Sequence, residues 1–152
     1  MTGAPTPVRA ATEVAAPVST VWDVVADLAR MPEFSPELRR AWVLGTPGPG
    51  ARVVGLNRRG LVAWPTLSRV VRWEPGRAVA WHTRESGATW VYELEPAGTG
   101  ESTLLSAHRV LPRFGLATRL LGPLLGGAAG HDAELALGLR STLERIRAAV
   151  EA

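Results

Sequence analysis

The sequence predicts an α+β fold, with one antiparallel sheet covered on a single face by a long C-terminal helix. Two observations carry this. Residues 38–110 are a succession of short apolar runs, each closed by Gly, Pro or Ser signals of the kind that end β-hairpins. From Asp132 to Val150 the period changes to that of a helix, with Leu135, Leu139, Leu143, Ile146 and Val150 on one stripe.

Residues 1–7, with two prolines and a glycine, read as a loose tail. Val8 to Val14 suits a short strand. Pro17 then opens a helical pattern in which Val18, Val21, Val25 and Leu28 share a face; proline is tolerated in a first helical turn. Pro32 and Pro36 end that pattern, since neither fits a helix interior. Strand-like runs follow at Leu38–Leu44, Val53–Arg58, Leu61–Trp73, Val79–Arg84, Ala88–Glu95 and Ser102–Val110. Their turns fall at residues 45–50, Arg59-Gly60, Glu74-Pro75-Gly76, Ser86-Gly87 and residues 96–100. Phe114 to Ala129 is rich in Leu and Gly, with weak helical patterning. In the final helix Asp132 and Glu134 fall in the first turn and arginines toward the end, in the sense of the helix dipole. The sheet therefore has six to seven strands, within one domain spanning residues 1–152.

Composition narrows the function. A chain of 152 residues buries roughly 70% of its unfolded surface, enough for a core without staples. There is no cysteine, which excludes disulfides and thiolate metal sites. No segment has the ~20 apolar residues that span a bilayer and no leader is evident, so a cytoplasmic location is expected. The sequence pI of 10.8 does not imply a nucleic-acid partner. All seventeen basic residues are Arg; a small positive charge then persists to high pH. The arginines are also scattered, with Arg39-Arg40 and Arg58-Arg59 the only doublets.

The aromatics are more informative. Trp81, Trp90 and Tyr92 crowd into residues 78–96. If Ser86 and Gly87 make a two-residue turn, Thr83 pairs with Trp90, Trp81 with Tyr92 and Val79 with Leu94, all on one face. His82, Arg84, Thr89, Val91 and Glu93 take the other. Inward aromatics ordinarily fill a core. Trp22, Trp64 and Trp73 add further bulk, and a curved sheet closed by one helix often leaves a groove.

In their order and spacing, several motifs resemble the polyketide cyclase/dehydrase branch of the START-like (SRPBCC) superfamily. They are Ala16-Pro17-Val18 with Val21-Trp22 and Asp27; Gly55-Leu-Asn57-Arg58-Arg59-Gly60 with Trp64 and Thr66; Val70 and Glu74-Pro75-Gly76-Arg77 with Trp81; Trp90-Val-Tyr92-Glu-Leu-Glu95-Pro96; and Thr142 to Glu151. The resemblance runs from about Arg9 to Glu151. It implies a helix-grip fold: a curved antiparallel sheet around a C-terminal helix, with a hydrophobic cavity between them. Members bind lipids, sterols, hormones or polyketides, and some cyclise aromatic polyketides; fold alone leaves enzyme and carrier open.

His82, His108 and His131 stand apart, without a metal-ligand spacing, and no metal or cofactor is expected. His108, on the last strand, is the one histidine that could face the interior. Neither a Gly-x-Ser-x-Gly elbow nor a thiol nucleophile is present. In cyclase relatives an Arg, Tyr or hydroxyl polarises a carbonyl of the guest. Asn57, Arg59, Thr66, Ser68, Arg69 and Tyr92 are the candidates here. Alternation, however, puts Trp64 and Arg69 on opposite faces of their strand unless a bulge intervenes.

The expected function is binding of a small hydrophobic molecule, a lipid, acyl or polycyclic aromatic guest. A polyketide aromatase/cyclase is the alternative, and a chaperone-regulator-like interaction module the second. Trp64, Trp81, Trp90 and Tyr92 are expected to line the cavity, with Asn57 as polar orienter and Leu135 and Leu139 as the opposite wall. The glycine-rich segment 114–129 is expected to act as a lid, with Phe114, Leu116, Leu120 and Leu124 bordering the entrance.

Overall fold

The structure, a computed structural model, describes residues 8–111 and 128–152, with side chains for 8–111 and 135–152. Strand β1 (Val8–Val14) leads into helix α1 (Val18–Val25), a 3₁₀ helix (Leu28–Glu33), and strands β2 (Leu38–Leu44), β3 (Arg52–Arg59) and β4 (Val62–Glu74). Strands β5 (Ala78–Thr83), β6 (Thr89–Ala97) and β7 (Ser102–Val110) complete one sheet, and helix α2 (Ala128–Glu151) follows. The sheet has seven antiparallel strands in the order β1-β7-β6-β5-β4-β3-β2. Each connection from β2 to β7 is thus a hairpin, while β1 joins the sheet beside β7 by a longer route. The fold is α+β of the helix-grip kind.

Curvature has a local cause. Register shifts between Leu38 and Arg40 in β2 and between Val70 and Arg72 in β4 mark irregularities that bend a strand. On the concave side lie Val70, Val79, Tyr92, Leu94, Leu105 and Ala107, all buried. Against them α2 presents Leu139, Leu143 and Ile146, also buried, with Leu135 and Val150 half-buried at either end of the stripe. Two polar ties fix the helix and the first strand. The Thr12 hydroxyl donates to Glu144 Oε1 (3.1 Å), and Thr103 Oγ1 donates to the Ala16 carbonyl (2.8 Å) in a buried position.

Beyond shifts of a residue or two at strand ends, three features differ from the sequence reading. The first helix stops at Val25, and the chain continues through Pro32 as a 3₁₀ turn. Such a turn asks nothing of the missing proline N–H: Arg30 N bonds Asp27 O, and Phe34 N bonds Met31 O. Burial of Leu28, Met31 and Phe34 anchors that turn in the core. Secondly, α2 begins at Ala128, so Asp132 and Glu134 fall in its second turn, not its first.

Thirdly, the β5–β6 register is displaced by two residues. Trp81 pairs with Trp90 and Val79 with Tyr92. Ser86-Gly87 is not a two-residue turn. Gly87, at φ +72, donates its N–H to the Thr83 carbonyl (2.9 Å), and Thr83 N bonds Ala88 O (2.8 Å). Residues 84–87 all belong to the loop. Because the displacement is even, every side chain keeps its expected face.

Candidate functional site

Between the concave face, the 3₁₀ turn and α2 lies a cavity of about 730 Å³. Its sheet wall carries Trp64 from β4, Trp81 from β5, and Trp90 and Tyr92 from β6. These four share a face because they stand at even separations on adjacent antiparallel strands. The Trp81 and Tyr92 rings stack with centroids 5.3 Å apart and planes at 15°, an arrangement that forms a flat apolar platform. Leu28 and Met31 close one side, and Leu135, Leu139 and Thr142 of α2 the opposite one. All seven residues expected at the cavity, Asn57 among them, stand on its wall.

Several polar groups of the interior are committed to bonds with one another or with the backbone. Asn57 Nδ2 donates to Thr66 Oγ1 (3.1 Å) and to the Trp64 carbonyl (3.3 Å), which leaves its Oδ1 without a bond to the described residues. Ser68 and Thr83 hydroxyls bond each other at 2.8 Å, and Thr142 Oγ1 donates back to the Gly138 carbonyl at 2.9 Å. Tyr92 is fully buried, and burial alone pushes its phenol pKa far above the usual value, so it stays a proton donor at any physiological pH.

Sequence reasoning missed Arg109. It is 8% exposed and its side chain reaches the cavity wall. The signal was available: Thr103, Leu105, Ala107 and Arg109 alternate inward along β7, whereas Leu104, Ser106 and His108 alternate outward. By the same parity His108 does not face the interior. It sits on the convex side with Nδ1 3.6 Å from Glu93 Oε1. Desolvation lowers its pKa below the ordinary imidazole value and outweighs the upward pull of Glu93. His82 is also on the convex side, with Nδ1 3.0 Å from Thr89 Oγ1.

Among the acid/base candidates, Asn57, Thr66, Ser68 and Tyr92 line the cavity and Arg59 stands at its rim. Arg69 does not. It pairs with His82 on the convex face and is exposed, since the β4 irregularity lies beyond it and cannot bring it inward. Trp22 and Trp73 are not part of this cavity either. They pack edge to face (5.3 Å, 73°) beside a separate cavity of about 250 Å³ near the end of α1. Phe114, Leu116, Leu120 and Leu124 lie outside the described residues. Among the described residues no group of three metal-ligating side chains gathers, and no helix is long and apolar enough to cross a membrane.

Over residues 5–151 the sequence matches the family described as polyketide cyclase / dehydrase and lipid transport. A search of the curated proteins gives no match. Among solved structures, the chain is similar to TTHA0849 from Thermus thermophilus, with 17% identity and a TM-score of 0.71 over 95% of this chain and 97% of that one. It is also similar to the Zhui aromatase/cyclase from Streptomyces sp. R1128, at 18% identity and a TM-score of 0.67 over 96% and 93%. A third likeness is to the di-domain aromatase/cyclase StfQ of the steffimycin biosynthetic pathway, at 17% identity and a TM-score of 0.72. It covers 95% of this chain and 51% of that one. At such identities the structural likeness speaks for the fold. The family match, which runs almost from end to end, says more: the chain belongs to the polyketide cyclase/dehydrase branch of the START-like superfamily.

Proposed function

We propose that the chain binds one small hydrophobic molecule, with an acyl or polycyclic aromatic skeleton, in the cavity between the sheet and α2. One observation carries the reading: a space of about 730 Å³ is walled by three tryptophans and a tyrosine from the sheet and by leucines of α2. That volume lies in the range of about 300–1,000 Å³ typical of small-molecule sites. Along this aromatic and aliphatic wall an apolar guest replaces water favourably. The Asn57 Oδ1, the Tyr92 hydroxyl and the Arg109 guanidinium supply orientation. Arginine has five N–H donors, so Arg109 serves a guest carbonyl alongside other contacts.

Those same donors favour polyketide aromatase/cyclase activity as the second reading. Confinement of a flexible poly-β-ketone, with Arg109 and Tyr92 polarising a carbonyl, needs no nucleophile and no metal. An interaction module of the chaperone-regulator kind needs a filled interior, and the cavity weighs against it.

The test compares two tryptophan-hairpin variants by displacement of a fluorescent hydrophobic probe. Trp90→Ala should weaken binding at least about tenfold, in line with the loss of a buried aromatic anchor. His82→Ala, on the convex face, should leave it within about twofold. Equal effects from the two changes, with both variants folded, would remove the cavity as the binding site.

A further inference from the structure

The β3–β4 hairpin ends in a two-residue turn, Gly60-Leu61, flanked by the pair Arg59 and Val62. Gly60 has φ +61, the positive value such a turn needs at its first central position. The second position ordinarily takes a polar residue. Here it holds Leu61, 97% exposed, followed by Val62 at 65%. A single exposed leucine needs no explanation. On α2, however, Leu137 is 70% exposed as well, and it borders the same opening.

The rim between these tips is continuous. Gly60, Pro36, Glu37 and Leu137 all line the main cavity. A Cβ built on Gly138 would meet Pro36 Cγ at 3.8 Å, and Arg58 N bonds the Glu37 carbonyl at 2.9 Å. The charge on this rim is one-sided. Arg39, Arg58 and Arg59 stand there with Glu37 as the one carboxylate among the described lining residues. Arg58 Nε donates to the Gly60 carbonyl at 2.9 Å, which holds a guanidinium directly beneath the Leu61 tip.

From this arrangement we infer that the cavity rim docks on an anionic lipid bilayer. Leu61 and Val62 sit below the headgroups, Arg39 and Arg58 face the phosphates, and the cavity opens onto the membrane. A nucleic acid would engage the arginines and leave the leucines in water. A second copy of the chain is a poor occupant, since a stable interface takes about 20–30 residues a side and, among the described residues, the exposed apolar tips at this rim number three. The inference concerns the rim alone and holds whatever guest the cavity takes.

Cosedimentation of the whole chain with vesicles tests it. Vesicles of phosphatidylcholine with phosphatidylglycerol should bind the protein, vesicles of phosphatidylcholine alone should not, and salt should weaken the binding. The double variant L61D/V62D should partition at least about 25-fold more weakly, from two charges of the wrong sign at about fivefold each. Its melting temperature should not change, because both side chains are exposed. L104D/V110D, an equal charge change on the exposed Leu104 and Val110 of β7, should still bind. Absence of binding to the anionic vesicles at low salt overturns the proposal, and so does equal partitioning of L61D/V62D and wild type. Concentration-dependent dimerisation that L61D/V62D abolishes would assign the rim to a copy-to-copy interface and overturn it too.

Discussion

Tyr92 is the only tyrosine in the chain, so phenolate absorbance reports one side chain without ambiguity. Burial raises its folded pKa above the unfolded value of about 10. Below pH 10 both states keep the proton and pH has no leverage through this group. Above pH 10 the unfolded chain ionises first, so stability falls as pH rises. A spectrophotometric titration at pH 11 should therefore show little phenolate in native protein and nearly full ionisation in urea. Native protein that titrates near 10 would place the phenol in contact with solvent. Arg109 makes a second residue-scale prediction. Arg109→Met should weaken binding of a fatty acid several-fold more than binding of the matching alkane, because only the former has an oxygen to accept its N–H groups. Equal losses would show that the side chain contributes packing alone. The sequence hid Arg109 because a charged residue near a strand end reads as an exposed terminus. Parity counted from Thr103 is the stronger signal, and it puts Arg109 inside.

At the scale of elements, faces were legible and registers were not. The inward set Trp64, Trp81, Trp90 and Tyr92 follows from alternation, which survives any even slip. The partner of each residue depends on loop length, and Ser86-Gly87 resembles a tight turn although residues 84–87 form a longer loop. The Pro32 region was read as a simple break because proline excludes an α-helical interior, yet a 3₁₀ turn accommodates it. The close approach of β3 and β4 offers a test of packing. A Cβ on Gly55 would lie 2.7 Å from Thr66 Oγ1 and 3.0 Å from Leu38 Cδ1. Thr66 is held in turn by Asn57, so it cannot yield without breaking that bond. Gly55→Ala should cost about 1–3 kcal/mol in urea unfolding, the usual range for overpacking. No measurable loss would mean that Thr66 turns away freely and that the Asn57 contact is dispensable.

For the molecule as a whole, hairpin punctuation and the final helical stripe made the α+β architecture readable, because each local pattern agrees with the global fold. The cavity was less so. Trp22, Trp64, Trp73, Trp81 and Trp90 suggested a surplus of bulk, but Trp22 and Trp73 serve a different cavity. Sequence gives the volume of side chains and not the curvature of the sheet that must enclose them. Anchoring of α2 is the global determinant of that enclosure. Leu143, fully buried, should cost about 2–5 kcal/mol when changed to Ala. The same variant should bind a hydrophobic probe more loosely, since α2 forms one cavity wall; unchanged binding with lowered stability would separate the wall from the core.

Whether this interior holds an apolar guest is decided by native mass spectrometry of the chain purified from cells without organic solvent. A discrete one-to-one adduct is expected, released by gentle activation and extractable into organic solvent, and diminished in Trp90→Ala. Apo protein should take up a single equivalent of an added acyl or polycyclic compound. Apo protein alone, with no saturable uptake of any such compound, would contradict it.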